Sequence, residues 1–133
     1  ELDGDICGAD CIPRILQGYA NLYFTHRQML IFVHEAEAYL NRSGKALLVE
    51  NKPPAPFEQS AGPLSSAIHK GIADGSVRTD IDLPSLYYNT YDALLGLIQK
   101  LAIGGRNNTA DDEYASIRLE QFCTMMEGFY RKR

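Results

Sequence analysis

Residues 71–104 read GIADGSVRTDIDLPSLYYNTYDALLGLIQKLAIG, and this stretch decides the fold. Gly75 follows Asp74 where a helix from about Leu64 should stop, because glycine takes a left-handed conformation at no steric cost. Asp82 stands as an N-cap, and Pro84 falls within the first turn, where amide donors lack partners anyway. Gly104 then closes a helix of about 21 residues, near 30 Å long. At about 100° per residue its apolar side chains cover roughly 220° of the circumference. Leu83, Leu86, Tyr87, Tyr91, Leu94, Leu97, Ile98 and Leu101 form the centre of that arc, and Tyr88, Leu95 and Ala102 widen one flank. A helix packed on one side needs a stripe of only ~100°. The pattern therefore predicts a helix covered from more than one direction, by its own domain or by a second chain.

Outward from this segment, the chain reads as further helices. Ile12, Ile15, Leu16, Tyr19, Leu22 and Tyr23 share one helical face over 13–24. Thr25-His26-Arg27-Gln28 has the pattern of a capping box and opens a predicted helix at 26–43, whose Met29, Phe32, Val33, Ala36, Tyr39 and Leu40 share a face. Lys45 to Glu50 is apolar enough for a short helix, and Pro53, Pro54 and Pro56 force an extended linker. Phe57, Ala61, Leu64, Ile68 and Ile72 predict a helix from about Phe57, with a possible break at Gly62-Pro63. Gly105-Arg106-Asn107-Asn108 is a turn-rich loop. A last helix runs from about Thr109 to Tyr130, with Tyr114, Ala115, Leu119, Phe122, Cys123, Met125, Met126, Phe129 and Tyr130 on about half of it and Arg118 inside that arc. No segment alternates as a strand does. The expectation is an all-α single domain, a bundle of five or six helices spanning residues 1–133, without internal repeats.

Composition narrows the function. A net charge of −4 lacks the basic face needed to grip nucleic acid. Arg131-Lys132-Arg133 suits a helix C-terminus, where cations face the helix dipole. No apolar run reaches the ~18 residues of a membrane span. The acidic start ELDGDICGAD lacks the basic-then-apolar order of a signal peptide, and three cysteines are an odd number for a disulfide framework, so a cytoplasmic setting is expected.

Reactive chemistry is poorly represented. Cys7 and Cys11 alone do not complete a zinc site. The helix motif of zinc proteases would need a second histidine at position 38, which is Ala. His26, His34 and His69 are isolated in sequence. Gly104-Gly105 reads as a helix stop rather than a phosphate loop. No nucleophile stands with a base, and the chain is read as no enzyme, with no metal and no cofactor. Its eight tyrosines and absence of tryptophan are more informative. Buried tyrosines need hydroxyl partners, and several on facing helices can line a pocket that is apolar with a few polar handles. Tyr19, Tyr23, Phe32, Val33, Tyr87, Tyr91 and Leu94 are the candidate lining of such a pocket. The alternative is a packed core whose hydroxyls reach backbone carbonyls or the surface.

Gly71-Ile-Ala-Asp-Gly75-Ser-Val77-Arg78-Thr-Asp80-Ile-Asp82-Leu-Pro84 resembles the turn before the penultimate long helix of TetR-type transcriptional repressors. Here Leu83 separates Asp82 from Pro84, which in that family more often adjoin. The resemblance covers about residues 64–130. It implies a ligand-binding and dimerisation domain whose last two long helices pair with those of a second copy as a four-helix bundle. DNA binding would belong to a helix-turn-helix head absent from these residues. A small apolar or aromatic effector and a homodimer are the partners it implies. Small or intermediate groups on the flanks of the last two helices are the candidate interface: Ala93, Gly96, Ile117, Arg118, Gln121, Thr124 and Gly128. Two other readings stand beside it, a purely structural dimerisation module without a ligand and a small helical carrier or enzyme.

Overall fold

The computed structural model describes residues 6–43, 62–104 and 109–133. Among them the chain forms α1 (Gly8–Ala20), α2 (Leu22–Thr25), α3 (Arg27–Ser43), α4 (Pro63–Asp74), α5 (Leu83–Gly104) and α6 (Thr109–Tyr130). The only pairing of strand type among the described residues is an isolated bridge between Val77 and Arg131. The all-α expectation holds. No helix among the described residues is long and apolar enough to cross a membrane. The expected short helix at 45–50, the proline linker, the helical start at 57–61 and the loop at 105–108 lie outside the described residues.

α1 is the centre of the bundle and packs on α4 and α6, with α5 beside it. Its Ala9, Ile12, Leu16 and Ala20 are fully buried. α4 lies close against it because the crossing is made of small residues. A methyl group on Gly8 would stand 2.0 Å from the Gly71 nitrogen, and one on Gly71 would stand 2.1 Å from a methyl carbon of Val77. The buried face of α4 is Leu64, Ala67, Ile68 and Gly71, while Ile72, expected inside, is exposed. The apolar periodicity missed Gly71, which has no side chain to register in it.

The helix punctuation around 71–104 is as read from the sequence. Gly62 caps α4 with Pro63 in its first turn, and Gly75 ends it with φ of 83°. The Asp82 carboxylate accepts the Ser85 amide at 3.1 Å at the start of α5. Upstream the structure departs from expectation. α1 begins five residues before Pro13 and carries that proline inside it. Asn21 then breaks the chain into α1 and the single turn α2. Thr25 caps nothing in α3. Its hydroxyl donates to the Asn21 carbonyl at 3.1 Å, closing α2 instead, so the capping-box reading fails.

α3 is also rotated relative to the sequence reading. Leu30 is buried and Ile31 packs on the core, while Met29, Phe32, Val33 and Tyr39 face outward. The cause is Arg27. Its guanidinium lies over the Tyr23 ring, 4.3 Å from the centroid, and pairs with Asp112 of α6. With Arg27 pinned, the residues three and four positions on turn inward with it.

α5 packs on α3, α2, α6 and α1. Leu83, Tyr87, Thr90, Leu94, Ile98, Leu101 and Ala102 are buried. Leu86, Tyr88, Tyr91 and Leu97 are partly buried against the same core. Most of the wide apolar arc of α5 is thus covered within the chain, with Leu95 and Ile103 left exposed.

Candidate functional site

Two regions carry the residues singled out by sequence. The first is a tyrosine cluster between α1 and α5. Tyr91 lies between Tyr19 and Tyr87, with ring centroids 5.5 and 5.1 Å away, both edge to face. Tyr88 extends the row through Tyr87 at 5.3 Å. Such pairs contribute about 0.5–1.5 kcal/mol beyond their buried area. The Tyr19 and Tyr91 hydroxyls bond to each other at 3.1 Å. Burial, and then the Tyr19 hydroxyl, push the Tyr91 phenol far above its ordinary value, so Tyr91 keeps its proton for this bond.

Of the predicted lining, Tyr19, Tyr87 and Tyr91 come together, and Leu94 lies one turn further along α5 in the buried core. Tyr23 is buried nearby, under Arg27 and against Phe24 at 4.9 Å. Phe32 and Val33 do not belong to the group. They are 70% and 39% exposed on the outer face of α3, for the reason given by Arg27. Beside Tyr19 the surface is concave, lined also by Arg14, Ile15, Gly18 and Pro63.

A second polar link was not read from the sequence. Thr90 donates its one hydroxyl proton to the Leu86 carbonyl at 2.6 Å, so the Tyr130 hydroxyl, 2.7 Å away, must donate to Thr90. Both residues are fully buried, and burial pushes the Tyr130 phenol up to about 12. The bond fixes the end of α6 against the second turn of α5. A threonine four residues after a carbonyl it can reach was the available signal.

The second region is the outer face of α6. This helix has two apolar faces. Ala115, Leu119, Phe122, Cys123, Met126 and Tyr130 are buried. Tyr114, Ile117, Met125 and Phe129 form a second stripe and are each more than half exposed. Gln121 and Thr124 are exposed on that stripe, and Arg118 and Gly128 are half-buried on it. The Arg118 guanidinium lies over the Tyr114 ring, 5.5 Å from the centroid. Ala93 and Gly96 are exposed on α5. Every candidate interface residue is therefore at least partly accessible. The surplus apolar surface expected of α5 lies mainly on α6.

The outer stripe ends in a basic groove of about 650 Å³ whose lining includes Met125, Gly128 and Phe129 on α6, Arg78 and Asp80 in the turn before α5, and Lys132 and Arg133. Its cations are not equivalent. Arg78 grips Asp80 with two bonds of 2.7 and 3.0 Å. Arg131 holds both Glu127, at 3.2 Å, and Asp10. Lys132 and Arg133 are exposed and carry no ion pair among the described residues.

No three His, Cys, Asp or Glu side chains come together as a metal site among the described residues. His69 donates Nδ1–H to the Ser65 carbonyl of its own helix at 2.8 Å. Cys123 is buried, and that burial pushes its thiol up to about 11, away from the thiolate needed for reactivity. No family model, curated protein or solved structure matches this chain.

Proposed function

We propose that this chain is the effector-sensing and homodimerising domain of a TetR-like transcriptional repressor. The observation that carries this reading is the second apolar face of α6, which the chain's own helices leave in water. Large contiguous apolar surface on a small domain marks an interaction site. The candidate interface residues on both α5 and α6 lie on accessible surface, as a four-helix bundle of two copies requires. The turn at 71–84, with its glycine stop and acidic cap, supplies the family likeness.

The effector would be a small apolar or aromatic molecule with one or two hydrogen-bonding groups. It would enter beside Tyr19 and part it from Tyr91. Those hydroxyls are bonded to each other rather than to the backbone, so a ligand group can replace either partner without leaving a buried polar atom unsatisfied. Tyr19 sits on α1 and Tyr91 on α5, so separating them would move α1 against the dimerising pair. A preference of the ligand for the separated state would set the size of the shift, and DNA contact would follow through a head outside this chain.

One observation favours the plainer reading of a structural dimerisation module: the tyrosine rings already touch edge to face. Thermal-shift screening with hydrophobic and aromatic compounds separates the two. The sensor reading expects a compound that raises the melting temperature of the parent and does so less for Tyr19→Phe and Tyr91→Phe. Compounds that stabilise neither the parent nor the variants would leave only the structural module.

A further inference from the structure

The outer stripe of α6 is self-complementary if a second copy lies antiparallel to it. Tyr114, Ile117, Gln121, Thr124 and Gly128 recur at intervals of three, four, three and four, the spacing of a helix–helix seam. A two-fold axis at Gln121 pairs residues whose numbers add to a constant, seven positions or about 10 Å to either side. The bulkiest stripe residue near the start, Tyr114, then meets the smallest, Gly128, and Ile117 meets Met125. Gly128 lines the groove between Met125 and Phe129, and a methyl group there would touch nothing within 4 Å.

Charge follows the same symmetry. α6 starts with Asp-Asp-Glu at 111–113, while the chain beyond its end is Arg-Lys-Arg at 131–133. At the acidic end Asp112 is already taken by Arg27, and among the described side chains the exposed Glu113 carries no ion pair. At the basic end Arg131 is taken by Glu127 and Asp10, which leaves exposed Lys132 and Arg133. The free acid of one copy and the free bases of the other fall at the same end of the seam. A parallel arrangement would instead place Glu113 on Glu113 and the basic ends together.

We infer that the groove at the end of α6 is the seat of a second copy of this chain. It takes the partner's Tyr114 over Gly128, with the partner's Glu113 facing Lys132 and Arg133. The inference rests on the dimer proposed above and adds its direction, its axis and its polar lock.

The test is sedimentation and mild oxidation of the whole chain. Gln121→Cys places a thiol on the axis, and air oxidation should give a covalent dimer that the parent, whose native thiols are half-buried or buried, does not. Glu113→Lys alone, and Lys132→Glu with Arg133→Glu, should each weaken dimerisation about tenfold, since each change acts twice in a two-fold contact. The triple variant, with all three charges reversed, should return to within about threefold of the parent. All these positions are exposed, and thermal melting confirms that each variant folds. A parent dimer with no Gln121 cross-link, and with reversals that add instead of compensating, overturns the antiparallel seam and leaves the dimer standing. A parent that sediments as a monomer overturns both.

Discussion

The end of the molecule where α1 begins and the outer face of α6 are opposites. At the first, the two leading amides of α1 have distant partners. The Gly8 amide donates to Asp74 at 2.8 Å and the Ala9 amide to the Ser76 hydroxyl at 3.0 Å. That hydroxyl donates to Asp74 in turn, Arg131 bridges Asp10 and Glu127, and Val77 pairs with Arg131. At the second, four large apolar side chains face water. One region is finished by the chain itself and the other is not. The described helices leave the outer stripe uncovered, and this is where the proposed partner would sit.

Paired substitutions two residues apart on α6 put the largest effect on that contrast. Leu119→Ala removes a fully buried side chain and should cost about 2–5 kcal/mol in chemical denaturation. Ile117→Ala, 58% exposed in the single chain, should change stability by no more than about 0.5 kcal/mol when measured dilute enough to be monomeric. A large loss at Ile117 under those conditions would mean that the stripe belongs to the fold.

Glycines sharpen the same contrast. Gly8→Ala drives a methyl group into the Gly71 backbone, which cannot yield as a side chain would, and should cost about 2–3 kcal/mol. Gly18→Ala, in the same helix, meets nothing within 4 Å and should gain up to about 1 kcal/mol from helix propensity. Urea midpoints of the two variants moving in the same direction would contradict the close α1–α4 crossing.

Tyr130→Phe removes the proton that Thr90 accepts while leaving Thr90 bonded to Leu86. A loss of about 1 kcal/mol is expected by thermal or chemical unfolding. Thr90→Val in the same background should then cost less than it does in the parent, because the two residues share one bond.

The smallest effect is a slope. The Ser76 hydroxyl, and then the Gly8 and Ser76 amides, hold the Asp74 carboxyl below its ordinary value of 3.8. A group depressed on folding contributes fully above its unfolded value, and that contribution disappears as pH falls through the native one. Stability of the parent should therefore fall between about pH 5 and pH 2, and Asp74→Asn should flatten that fall. An unchanged acid slope would show that the knot at α1 does not depend on the Asp74 charge.

What could be read in the sequence was local. The stop at Gly75, the Asp82 cap and the long helix to Gly104 rest on residues within a few positions of one another. The start of α1 was misplaced because its cap is not Cys7, whose side chain makes no capping bond, but Asp74 and Ser76 from 66 and 67 residues away. The rotation of α3 was missed for a similar reason: the Asp112 that pins Arg27 lies 85 positions along the chain. Five of the seven predicted pocket residues are buried or partly buried in the interior, because they sit on α1, α2 and α5, whose faces were assigned correctly. Phe32 and Val33 followed the misassigned face of α3. The two apolar faces of α6 merged on the sequence wheel into one broad arc. Leu119 was placed inside and Ile117 on the flank, but only burial tells that Tyr114, Met125 and Phe129 lie outside with Ile117.

In the proposed dimer the outer face of α6 is covered by a second copy of the chain. Sedimentation equilibrium of the parent at micromolar concentration tests it most directly. A seam of this kind requires a species of twice 14.8 kDa that Gly128→Leu converts to a folded monomer. A parent that remains at 14.8 kDa across the micromolar range would contradict it.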